Sequence, residues 1–333
     1  LGVGALHLFA KGDHNRRIVL NSIGPVWDGN EVWLITAGGA LFAAFPEVYA
    51  TAFSTFYLPF MLLLVALIFR AVSIEFRSKE ASPAWRASWD RAFAIASILA
   101  AVLFGVAIGN AILGLEIGAD KTFKGHFTDL VSPYTVLTGV FNLVMFAMHG
   151  ATYLYIKTEG ALQQQVRGWA WRAFLVFIPL YALVTAVTLY LRPHMVANFS
   201  FGQMALPGGT HPIIRENPIA ISTVAWLIVV LNGLSLANIP RALHLRKPMM
   251  AFISSACSIG AVIGFFALGI FPNMVVSSMD PAYSLDIYNG ASTDYTLRTM
   301  FWIAIWGMPF VLGYTSIIYW TYRGKTYLTE SSY

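Results

Sequence analysis

The sequence predicts an all-α polytopic membrane protein: a helix bundle of eight full spans plus the end of a ninth, N-terminal one. Three observations carry that prediction. First, the 333 residues are 57% hydrophobic and only 11% charged, with a mean hydropathy of +0.65, whereas soluble domains carry about a quarter charged residues. Second, the apolar residues fall into blocks of roughly 20, the length with which a helix crosses about 30 Å of hydrocarbon. Third, Lys and Arg alternate between successive loops, as orientation in a bilayer requires. The chain reads as a single transmembrane domain over residues 1–333.

Residues 1–10, Leu-Gly-Val-Gly-Ala-Leu-His-Leu-Phe-Ala, read as the tail of a truncated N-terminal span, because they are apolar and run into the charged Lys11–Arg17 segment. The full spans are expected at 27–47, 51–70, 92–113, 134–155, 172–191, 219–239, 250–271 and 300–320. Between the second and third, the Ser78–Asp90 connection sets Trp85 and Trp89 four apart among basic residues, the pattern of an interfacial helical turn. Two connections are longer, Arg192–Pro218 and Pro272–Arg298, and neither has the make-up of a separate folded domain. Small residues at helix-contact spacing, such as Gly39 with Ala43 and Gly260 with Gly264, suit close packing of helices.

Charge sets the orientation. One set of alternate loops holds sixteen basic residues, at 11–17, 70–91, 157–172, 241–247 and 323–325; the other holds only Lys121, Lys124, Arg192, Arg215 and Arg298. The basic set is therefore expected in the cytoplasm, with the C-terminus inside. This bias accounts for the net charge of +5, so no nucleic-acid partner is inferred. The single cysteine, Cys257, lies in an apolar span and reads as packing.

The residue that most needs a reason is Asp28, in Gly24-Pro25-Val26-Trp27-Asp28-Gly29-Asn30-Glu31-Val32-Trp33, at the mouth of the first full span. Acids inside a membrane usually face a partner, a water path or a proton relay. Asp28 and Glu31 are three apart, so both point from one face of a helix starting near Trp27. The bland reading is an acid at a helix N-terminus, stabilised by the dipole or acting as a cap; it suits Glu31 better than Asp28, which Trp27 and Trp33 flank. Of seven histidines (His7, His14, His126, His149, His194, His211, His244), only His149 lies squarely within a full span, with His7 in the partial one. No pair has the matched placement of a haem or metal site, so His149 reads as a buried, hydrogen-bonded histidine, and any redox cofactor is expected on a partner. Asn142, Asn232, Asn238, Thr185 and Thr188 suit hydrogen bonds between spans, and Glu47, after Pro46, should reach the interface. Gly-Lys-Ser/Thr phosphate loops, HExxH zinc sites and arginine-rich voltage-sensor patterns are absent from the sequence.

The segment from Gly24 to Pro46, with Gly38-Gly39-Ala40-Leu41-Phe42-Ala43-Ala44-Phe45-Pro46 closing it, resembles the signature of subunit II of the cytochrome bd quinol oxidases. So do Glu75-Phe76-Arg77-Ser78-Lys79, Gly109-Asn110, His149-Gly150-Ala151-Thr152-Tyr153-Leu154, Phe271-Pro272 with Ser277-Ser278, and Asn289 to Ser292 with Thr296-Leu297, in the same order. The resemblance implies a multi-pass subunit of the bacterial or archaeal cytoplasmic (inner) membrane. It implies pairing with a subunit I that carries two haems b and one haem d and the quinol site, and reduction of O2 to water with cytoplasmic protons. It implies that no haem or metal binds this chain directly, and it leaves open a structural quinone and small accessory membrane subunits. Asp28 matches the family's proton-path acid, Trp27 adjoins it, and Trp33 matches a tryptophan near a proposed oxygen route; Glu31 is a weaker candidate for the relay. Two departures stand out: the family's Asp-Gly-Phe-Asp element does not precede Leu1, and Val276 replaces the usual Pro before the paired serines. The rival reading is a secondary transporter coupling ion or proton flux through Asp28 and Glu31, although clear inverted repeats are missing.

Overall fold

The computed structural model describes residues 1–199, 218–329 and 332–333; His211 and Arg215 lie outside them. Eleven α-helices follow in chain order among these residues: α1 (Gly2–Leu6), α2 (Asp13–Ile23), α3 (Trp27–Ala44), α4 (Pro46–Thr55), α5 (Tyr57–Phe76), α6 (Pro83–Leu113), α7 (Pro133–Lys157), α8 (Gly160–Leu191), α9 (Pro218–His244), α10 (Pro248–Ile270) and α11 (Asp294–Thr321). Seven of the described helices, α5 to α11, are long and apolar enough to cross a membrane.

The expected span 27–47 forms an 18-residue helix that stops at Ala44, because Phe45 leaves helical geometry (φ −138°, ψ 67°) ahead of Pro46. Proline disfavours the helical conformation in the residue before it and suits the first helical turn that follows, so α4 begins afresh at Pro46. The expected start at 51 accordingly moves to Tyr57, after a second break at Phe56. Trp85 and Trp89, expected in an interfacial turn, belong to the first turns of α6, their rings 5.5 Å apart. Residues 1–10 form a five-residue helix and a 3-10 turn.

The centre of the bundle is α7, which packs between α6, α8, α10 and α1 and buries Thr138, Phe141, Met145, Met148, Ala151 and Leu154. Its start is fixed by Ser132, whose hydroxyl accepts from the Thr135 amide, while the Thr135 hydroxyl accepts from the Ser132 amide. The small residues that bring backbones together differ from those expected. A Cβ on Gly150 would meet the backbone of Gly2, and one on Gly105 the backbone at Thr138 and Gly139, whereas Gly39 and Gly260 face open space. Polar side chains bind the spans as expected: Asn142 donates to Ala101 O (2.7 Å), Asn232 to Tyr181 Oη (2.8 Å), Asn238 to Ser254 Oγ (2.8 Å), and Thr188 bonds Tyr134 Oη (2.7 Å).

Loops sort to two ends of the bundle. At one end, Arg77 and Arg86 reach Asp13, Arg17 donates to the main-chain oxygens of Ser332 and Tyr333, Lys157 pairs with the oxygen of Tyr322, and Arg167 donates to Leu243 O. All five basic segments thus meet there. At the other end, Lys121 pairs with Glu47, Ser277 Oγ donates to Ile117 O (2.8 Å), and a small antiparallel ribbon joins β1 (Asn273–Val275) to β2 (Leu285–Asp286).

Candidate functional site

The first turn of α3 places its acids at the basic end of the bundle. Asp28 is exposed, Glu31 is half-buried, and Trp27 packs partly into the main core. α3 buries none of its residues, although it carries Asp28, Asn30 and Glu31. Glu31 pairs with Arg70 of α5, whose guanidinium is almost wholly buried. That guanidinium also lies 5.9 Å from the Trp27 ring centroid and 5.7 Å from that of Phe93, so its charge is met by one carboxylate and two ring faces. Asn30 Oδ1 accepts from Tyr319 of α11 at 3.0 Å.

A residue passed over in the sequence completes the group. The Tyr333 phenol donates to Glu75, accepts from the Trp27 indole and lies within electrostatic reach of Asp28. Burial, and then the Glu75 carboxylate, hold this phenol above its ordinary range. Tyr333 is held there by its backbone: its main-chain oxygen accepts from Arg17 Nε (3.0 Å) and Asn21 Nδ2 (3.0 Å), and its amide donates to Asn21 Oδ1 (2.9 Å). Between α11 and Tyr333 the tail is anchored by Lys325, which donates to Ile156 O (2.7 Å) and Thr158 O (2.8 Å). Trp27, Asp28, Glu31, Arg70, Glu75 and Tyr333 therefore come together. Trp33 does not: six residues along α3, it faces away and is 37% exposed.

Beside this group opens a cavity of about 980 Å³, apolar over most of its length and polar where Trp27, Asn30, Glu31, Arg70, His149 and Tyr319 line it. His149 is half-buried, with Nδ1 2.8 Å from Ser255 Oγ and its ring stacked 4.9 Å from Phe252. His7 is completely buried and spends Nε2 on Asp90 at 2.6 Å. Among the described residues, no group of three or more His, Cys, Asp or Glu side chains is arranged to hold a metal ion.

Asp90 is the second feature the sequence hid. It is almost wholly buried and takes His7, Arg16 Nη1 (3.0 Å) and Arg77 Nε (2.6 Å) on its two oxygens. Arg77 also reaches Asp13, which Arg86 shares. This cluster fixes the 7–16 segment to α5 and α6, and so sets where the α2–α3 corner, and with it Asp28, can sit. Sequence separation conceals it: His7 and Arg77 come from 83 and 13 residues away from Asp90.

Comparison with known proteins gives a consistent answer. The sequence profile described as "Cytochrome bd terminal oxidase subunit II" matches residues 1–322. Subunit 2 of the cytochrome bd-I ubiquinol oxidase of Escherichia coli (strain K12) is 36% identical over 342 residues, covering 98% of this chain and 89% of that protein. Subunit 2 of the cytochrome bd ubiquinol oxidase of Bacillus subtilis (strain 168) is 32% identical over 326 residues, covering 97% and 89%. In fold, the chain is similar to one in the structure of the bd oxidase from Geobacillus thermodenitrificans, with a TM-score of 0.71 at 14% identity over 95% of this chain and 92% of that one.

Proposed function

The chain belongs to the cytochrome bd terminal oxidase subunit II family, and from that premise we propose that it is the haem-free subunit of a quinol:oxygen oxidoreductase whose Asp28 passes protons from the cytoplasm toward haems b and d held by subunit I. The observation that carries this reading is an acid on an uncovered helix. Asp28 and Asn30 are exposed on α3. The same helix exposes Val32, Leu34, Ile35 and Phe42, an apolar face suited to a protein partner. The partner would cover α3 together with α11, which also buries none of its residues, and would thereby enclose Asp28 at the subunit contact.

Within that contact the roles divide by chemistry. Asp28, which forms no ion pair among the described residues, is the group assigned to carry the proton. Glu31 is tied to Arg70 and acts as a positioning residue, holding α3 against α5 through an ion pair. Tyr333 and Glu75 form the cytoplasmic approach to Asp28, and Trp27 walls the site. Trp33, turned away from this group, would face the partner, where an oxygen route between subunits would run. The haems supply electron transfer and the oxygen chemistry; this chain supplies the proton path and half of the contact. A structural quinone and small accessory subunits would be additions to the same assembly.

The test is Asp28→Asn in the assembled oxidase. Quinol-driven oxygen consumption should fall by about tenfold or more, the scale on which a positioned proton-transfer group acts, with haem content and co-purification retained. Unchanged turnover would refute the proton role.

A further inference from the structure

A second site lies in a groove of about 430 Å³ between α9 and α10. Its walls are apolar and outward-facing: Leu234 is 65% exposed and Ile253 53%. Its floor is polar, with Asn238 Nδ2 donating to Ser254 Oγ (2.8 Å) beside the buried Ser235. At its end stands Arg241, exposed, with Nη1 donating to Asn238 Oδ1 at 3.0 Å. A guanidinium offers five donors in a fork suited to phosphate, and this one gives Nη1 to a neutral amide.

Positive charge gathers around the turn between α9 and α10. Arg16, Arg70, Arg77 and Arg86 each meet a carboxylate. Arg241, Arg246 and Lys247, clustered with His244 around the α9–α10 turn, form no ion pair among the described residues, like Arg172 and Arg323 at the same end; all four are exposed. The turn is held by Leu245 N donating to Arg241 O (2.9 Å) and Lys247 N to Ala242 O (2.9 Å), with Arg246 in the left-handed region at φ 54°. That conformation is uncommon for a residue other than Gly, and here it accompanies an exposed side chain. An apolar slot running into uncompensated positive charge matches one kind of molecule in a bilayer, a lipid with acyl chains and a net negative headgroup.

We propose that the α9–α10 groove seats an anionic phospholipid, its acyl chain along Leu234 and Ile253 and its phosphate on Arg241, with Arg246 and Lys247 supplying preference for net negative charge. The proposal requires only that the chain sit in a bilayer, so it stands or falls apart from the oxidase reading.

The test is native mass spectrometry of the chain with its natural partners in mild detergent, titrated with phosphatidylglycerol or phosphatidylcholine. One phosphatidylglycerol should be retained on this subunit in preference to phosphatidylcholine. Arg241→Gln should weaken that retention by about fivefold, the scale for one basic residue at a lipid surface, while Arg241→Lys restores part of it. The double variant Arg246→Gln/Lys247→Gln, outside the groove floor, should erode the preference for the anionic lipid even where Arg241→Gln fails to accumulate. Equal retention of both lipids, indifference to all three variants, or displacement by millimolar inorganic phosphate alone would overturn the assignment.

Discussion

Tyr333 shows what a single residue contributes beyond its own chemistry. Its phenol is raised above the ordinary value of 10 by burial and by Glu75, so the neutral form is favoured in the folded chain. The sign follows: the contact with Glu75 is fully present below that ordinary value and is lost as pH rises through the higher folded one. Tyr333→Phe should therefore lower turnover by about two- to tenfold, the worth of one hydrogen bond, at every pH below 10, with quinol affinity and haem content unchanged. Oxygen consumption across a pH series reads this out, and coincident profiles for the two proteins would remove Tyr333 from the path. Asp28 and Trp27 were legible in the sequence because a carboxylate and an indole beside Gly24-Pro25 are unusual at the start of an apolar run. Tyr333, Glu75 and the His7–Asp90–Arg77 cluster were not, since their meaning depends on contacts across up to 316 residues, as in the Arg17–Tyr333 bond.

Among the elements, spans were legible and their junctions were not. Apolar blocks announced α5 to α11 through length alone, whereas the breaks at Phe45 and Phe56 depend on local backbone geometry within continuous apolar sequence. Glycine pairs were equally hard to assign, because spacing says that backbones can approach but not which ones do. The structure separates two kinds. Gly150 lies against Gly2, while Gly39 on α3 has nothing within 4 Å. Gly150→Leu should destabilise the chain itself, by about 1–3 kcal/mol for overpacking, seen as a lower unfolding temperature in detergent. Gly39→Leu should leave that temperature near the parent's and instead weaken recovery of the partner subunit. The reverse pattern would mean that α3 packs within this chain.

For the whole molecule, the alternation of basic loops was the most reliable guide. Segments at 11–17, 70–91, 157–172, 241–247 and 323–325 meet at one end through named hydrogen bonds and ion pairs, as a topology with short connections requires. What the sequence left out is that two helices remain uncovered. A mild-detergent pull-down of the tagged chain from its native membrane, followed by a reduced-minus-oxidised visible spectrum, should show haem b and d bands on a co-purifying larger subunit. A colourless chain recovered alone would return the transporter reading to consideration. The positions of the uncovered helices also order events during synthesis. α3, at Trp27–Ala44, leaves the ribosome about 250 residues before α11, at Asp294–Thr321, yet the two touch through Asn30 and Tyr319, and Ser292, just ahead of α11, donates to Ala44 O. A nascent chain interrupted before residue 294 offers α3 without its companion, so the two-helix face proposed for docking would exist only once translation has passed Thr321. Under the assembly proposed above, recruitment of a second subunit would double as a proofreading step, admitting chains that carry both helices.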